Sequence, residues 1–135
     1  MREFQTLIQA LESPNSSVRD KAALELMDIG NESAVGPLLE AIGKPENLNQ
    51  RGTLVFALGG FNCKPILEAL VDLVLTGNFE VSTGAFGIIQ ASATDPNALE
   101  RVQRQMQRYP ASALVAEHHQ LGHKALVEFV EAEGE

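Results

Sequence analysis

Cysteine occurs once in this chain, at Cys63, so no disulfide can close within it and the fold must hold by packing alone. That usage suits a reducing compartment. There is no tryptophan and only one tyrosine, which leaves few large aromatic anchors. Basic residues are also scarce. Ten Lys and Arg face 18 Asp and Glu, for a formal charge of −8. Such a balance repels phosphate backbones and argues against a nucleic-acid-binding function. Long apolar runs are missing too. The longest weakly polar stretch, 52–61, is far too short to span a bilayer, and 1–15 carries no apolar segment of the signal-peptide kind. The expectation is an acidic cytoplasmic protein with no membrane partner.

What is present is helical. Leu, Ala, Glu and Gln recur through 135 residues of ordinary globular composition, 44% hydrophobic and 21% charged. Turn signals at 13–16, 30–31, 43–45, 62–65, 77–78, 94–96 and 109–110 cut the chain into eight runs of helical length. Phe4, Leu7, Ile8 and Leu11 have the 3, 4, 7 spacing of one helix face. Ser17 with Asp20, and Asp95 before Pro96, read as helix starts.

The runs repeat. "GPLLEAI" at 36–42 matches "KPILEAL" at 64–70, and "TLIQAL" at 6–11 fits the same frame. "VRDKAALELMDIG" at 18–30 lies over "LNQRGTLVFALGG" at 48–60, with "VSTGAFGIIQASA" at 81–93 following. This frame sets small residues Ala22, Gly52 and Ala85 at one position. A period near 30 residues with two helices per unit predicts an α-solenoid, because a single pair cannot bury its apolar stripe alone.

Residues 18–42 resemble the short bacterial HEAT-like repeat also found in phycobilin lyases. Val18, Arg19, Ala22, Ala23, Leu24, Ile29, Gly30, Ala34, Val35, Pro37, Leu38 and Leu39 carry the resemblance. It is close over this unit, moderate over 43–92 and faint over 95–135. The arginine after the valine is absent from the second and third units of the frame, where Asn49 and Ser82 stand. The resemblance implies one domain, an all-α, right-handed α-solenoid of about four HEAT-like helix pairs (2–30, 32–61, 63–93, 95–133). It also implies a habit of binding proteins rather than a chemistry.

Candidate sites are few. His118, His119 and His123 cluster in "EHHQLGHKALVEF", and His119 and His123 stand i, i+4. HEAT-like hydroxylases carry iron on repeated His-Glu pairs. Glu117-His118 has the reverse order and occurs once, so a solvated polar helix is the preferred reading, with no metal and no cofactor expected. "GNFEVSTGAFG" lacks the Gly-Lys-Ser/Thr ending of a phosphate loop. Gly52, Gly84 and Gly87 fall within helical runs and suggest close helix approach. Arg101, Arg104 and Arg108 share a face that is either solvated or an anchor for an acidic partner or a phosphate. Cys63 beside Lys64 reads as an ordinary thiol.

The second helices carry the main functional expectation. With Val18, Ala22, Leu26 and Ile29 taken as the buried stripe, the opposite face is Lys21, Leu24, Glu25 and Asp28. In the repeat frame, with steps of 30 and then 33 residues, these positions become Arg51, Leu54, Val55 and Leu58, then Gly84, Gly87, Ile88 and Ala91. A face polar in one unit and apolar in the next predicts a covered patch. The cover is the last helix, a second copy or a partner segment. The expected function is therefore a non-catalytic protein-interaction module. It would bind through a concave face of Leu24, Arg51, Leu54, Val55, Leu58 and Ile88, with Arg51 as the polar orienting group. The competing expectation is a HEAT-like enzyme or enzyme subunit of bilin-lyase or metal-dependent hydroxylase type, which rests on fold resemblance alone.

Overall fold

The computed structural model describes residues 3–134. Among them are eight α-helices and no strand. The helices are α1 (Phe4–Ala10), α2 (Ser16–Ile29), α3 (Val35–Ile42), α4 (Gly52–Leu58), α5 (Leu67–Thr76), α6 (Phe79–Ser92), α7 (Pro96–Met106) and α8 (Glu117–Glu133). Four short 3-10 turns lie in the connections. The chain divides into two compact units, Met1–Asn62 and Cys63–Glu135. Each holds four of the eight helices.

Local chemistry sets the helix ends. Asn15 caps α2, its side-chain oxygen accepting from the backbone N–H groups of Ser17 and Val18. That replaces the expected start at Ser17 and Asp20: the amide reaches the first free donors, while both serines lie inside the helix. Asn78 caps α6 in the same way. Asp95 accepts from Ala98 at 2.8 Å ahead of Pro96, as the sequence predicts. At the far end of α2, Gly30 takes a left-handed φ of 75°, which a Cβ would strain.

In the first unit α1 packs on α2, α2 on α4, and α3 on α4. The buried face of α2 is Arg19, Ala22, Ala23 and Leu26. Val18 and Ile29, expected in the core, are exposed. The stripe is rotated by about one residue, because the Arg19 guanidinium turns inward to the Ser13 carbonyl and to Gln50.

In the second unit α5 is the central element, touching α6, α7 and α8. Leu67, Leu70, Val71, Leu73, Val74 and Leu75 are all buried, around most of its circumference. Each such side chain contributes about 1.5–3 kcal/mol by leaving water. The last helix, α8, packs against α5, α6 and α7. Phe129 meets Phe86 of α6 edge to face, with ring centroids 6.3 Å apart. Gly122 permits this approach, since a Cβ there would lie 3.0 Å from a methyl of Val74. Gly87 has the opposite setting. A Cβ built on it meets nothing within 4 Å, so close helix approach does not account for this glycine.

Candidate functional site

Burial sets the true register of the second helices. The inward residues are Arg19, Ala22, Ala23 and Leu26 on α2 and Arg51, Leu54, Val55 and Leu58 on α4. On α6 they are Ser82, Ala85 and Ile89, with Phe86 half-buried. Arg19 to Arg51 is 32 positions and Arg51 to Ser82 is 31; the other members keep the same steps. The 30-residue frame is therefore two short at its first step, and Gly52 is not the counterpart of Ala22. The arginine of the first unit does recur, as Arg51.

These three positions share one task, which is to satisfy carbonyls at or just past the end of the preceding helix. Arg19 donates through Nη1 to the carbonyl of Ser13 at 2.8 Å and through Nη2 to Oε1 of Gln50 at 2.8 Å. Arg51 donates through Nε to the carbonyl of Leu48 at 3.1 Å and through Nη1 to that of Ile42 at 3.4 Å. Burial holds the Arg51 guanidinium below its ordinary pKa. The Ser82 hydroxyl donates to the carbonyl of Val74 at 2.7 Å.

The corrected register redraws the expected interaction face. Leu54, Val55 and Leu58 are at most 1% exposed and are core residues of α4. Arg51 is buried as well, bonded to backbone rather than offered to a partner. Ile88 is half-buried. Of the six residues, Leu24 alone is classed as exposed, at 41%. The apparent change from a polar to an apolar face came from comparing an outward surface on α2 with an inward one on α4. The true counterpart of Leu24 is Phe56, which is 63% exposed. Around these two, Lys21 and Asp28 answer to Thr53 and Gly60, all outside the buried stripe. An exposed aromatic ring and an exposed leucine thus stand at the same repeat position on two helices that pack on each other. Phe56 was legible only once the register was right.

Several of the other candidates are occupied inside their own unit. Nε2 of His118 and Nε2 of His119 lie 3.0 and 2.6 Å from the carbonyl oxygen of Gly77, with ring centroids 4.2 Å apart. They tie the start of α8 to the α5–α6 turn. Among the described residues no three His, Cys, Asp or Glu side chains gather as metal ligands would. Arg101 grips Glu68 with two bonds of 2.5 and 2.8 Å, which holds the Glu68 carboxyl below its ordinary pKa. Arg104 pairs with Glu100 at 2.6 Å one turn away. The basic face of α7 is thus largely neutralised. Cys63 is buried, and Lys64 pairs with Asp95. Asp72 accepts from Gln105 and from the Tyr109 hydroxyl, each at 2.7 Å, joining α7 and the turn after it to α5. Burial, reinforced by that bond, pushes the Tyr109 phenol up to about 12.

No protein-family model, curated protein or solved structure matches this chain. Among the described residues no helix is long and apolar enough to cross a membrane.

Proposed function

We propose that this chain is a non-catalytic protein-interaction module built from four HEAT-like helix pairs, wound as a right-handed solenoid. Its binding surface is the outward face of the second helices of the first unit, centred on Leu24 and Phe56. The observation that carries this reading is the pair itself. Two large apolar side chains stand at the same repeat position, 41% and 63% exposed, on helices whose opposite faces form the core. Polar and small residues, among them Lys21, Asp28 and Thr53, frame them. A surface of this kind takes an amphipathic helix or an apolar loop of another protein, or a second copy of the chain. The net charge of −8 disfavours nucleic acid as the partner, and a cytoplasmic setting suits a single buried cysteine. The test is a Leu24→Asp, Phe56→Asp double variant, compared with the parent by light scattering and by affinity capture from native lysate. A folded variant that loses self-association or a captured protein supports the reading. A folded variant with unchanged assembly and unchanged captured proteins overturns it.

A further inference from the structure

The outward face of α2 carries more than Leu24. Lys21 and Asp28 stand seven residues apart, within about 20° of one line along the helix, on either side of Leu24. Both are exposed, and neither forms a hydrogen bond or ion pair among the described residues. Asp28 sits in the last turn of α2, where a carboxylate opposes the helix dipole and no basic residue answers it. The face therefore runs cation, leucine, anion. Lys21 lies about 4.5 Å before Leu24 along the axis and Asp28 about 6 Å beyond it, from a rise of about 1.5 Å per residue. Turned end for end, this order of charges is complementary to itself. Phe56 holds the Leu24 position on α4, the helix against α2. The counterparts of Lys21 and Asp28 there are Thr53 and Gly60, which carry no charge.

Given that the Leu24–Phe56 face is the binding surface, we propose that its occupant is a second copy of the chain, related by a twofold axis. The axis lies in the plane of the face, across both helices at the level of Leu24 and Phe56. Rotation about it sets α2 antiparallel on its own copy and α4 likewise. Leu24 then meets the partner's Leu24, and Phe56 the partner's Phe56. Lys21 meets the partner's Asp28 to within about 1.5 Å of axial register. The contact is isologous, so this ion pair forms twice. Thr53 faces the partner's Gly60, and no like charges oppose each other on α4. Glu25 stands to one side of the line, half-buried and already engaged within its own chain. Two rings and two leucines leaving water supply the attraction, and the charges fix the antiparallel register. A parallel arrangement sets lysine on lysine and aspartate on aspartate. An unrelated amphipathic helix can fill the apolar strip, but the matching order of charges stands on this chain itself. The charge of −8 on each copy opposes association, yet at physiological ionic strength it is screened beyond about 8 Å.

The experiment is sedimentation equilibrium of the whole chain from about 1 µM to 1 mM, the range in which a small interface dimerises. The parent should form a dimer and nothing larger. Lys21→Asp sets a carboxylate against the partner's Asp28 at both contacts, and Asp28→Lys sets two ammonium groups together there. Each variant alone should dimerise about tenfold more weakly or worse, because two attractive contacts become repulsive. An equimolar mixture of the two variants restores both ion pairs and should recover the parent's affinity to within about threefold. A parent that stays monomeric overturns the dimer. So does undiminished dimerisation of the single variants, or a mixture that gains nothing. The Leu24→Asp, Phe56→Asp variant separates that failure from failure of the surface. A monomeric parent that captures another protein, lost in this variant, leaves the surface standing and removes only the second copy. A monomeric parent that captures nothing removes both.

Discussion

In the first unit an arginine ties each second helix to the chain before it, whereas in the second unit Ser82 ties α6 to α5. The connections explain the difference. Only Gly77 and Asn78 separate α5 from α6, so a hydroxyl one turn into α6 reaches the Val74 carbonyl directly. Residues 11–15 separate α1 from α2, and 43–51 separate α3 from α4. Longer loops leave carbonyls further away, and a guanidinium on a long stem can reach several of them while its aliphatic part stays in the core. The units also differ in what they cover. In the second, α8 lies on both α5 and α6. In the first, α2 and α4 keep open outer faces with Leu24 and Phe56 upon them. One unit is closed by a helix of its own, and the other retains the surface proposed for binding.

Substitution of the anchors should break this contrast most strongly. Arg19→Ala removes two charge-assisted bonds from a buried site and should cost about 3–5 kcal/mol. Ser82→Ala removes one neutral bond and should cost about 1 kcal/mol. Urea unfolding measures both, and equal losses would mean that the arginine is not the stronger anchor. The closure of the second unit is tested next. Gly122→Val drives a side chain into Val74 and should destabilise by about 1–3 kcal/mol through overpacking against α5. A neutral result in a thermal melt would show that α8 does not seat closely there.

Gly87→Ala should act in the opposite sense. It fills open space on α6 and relieves a mid-helix glycine, so stability should rise by about 0.5–1 kcal/mol in the same melt. The last effect is confined to alkaline pH. Tyr109 holds its proton to about 12 in the folded protein, against an ordinary value of 10.0. Its contribution is therefore complete below about pH 10 and is lost as pH rises towards 12. Tyr109→Phe should flatten stability against pH in that window, and an unchanged slope would detach the phenol from the Asp72 bond.

The eight helices were legible because Pro, Gly and Asn mark nearly every break, and because Asp95-Pro96 and the 3, 4, 7 spacing of the first run follow local rules. The register was not legible, for a reason that sits in two glycines. Gly30 and Gly60 look like equivalent helix ends, and aligning them gives a 30-residue step. Gly30 is a left-handed cap after a helix of 14 residues. Gly60 has no positive φ; it lies where a Cβ would meet the Met27 side chain, just beyond a helix of seven residues. The shorter α4 brings its glycine forward by two positions. That shift carried Leu54, Val55 and Leu58 from the core to the imagined surface and hid both Phe56 and the recurrence of Arg19 as Arg51.

Two adjacent residues of α4 test the corrected register most directly. Val55 points into the core of the first unit and Phe56 points away from it. The measurement is the melting temperature of Val55→Glu and of Phe56→Glu beside the parent. Val55→Glu, which buries an unpaired carboxylate, should melt roughly 10 °C or more below the parent or fail to fold. Phe56→Glu should melt within about 2 °C of it. A similar fall in both variants, or a larger fall in Phe56→Glu, would contradict the placement of Leu54, Val55 and Leu58 in the core and of Phe56 on the binding surface.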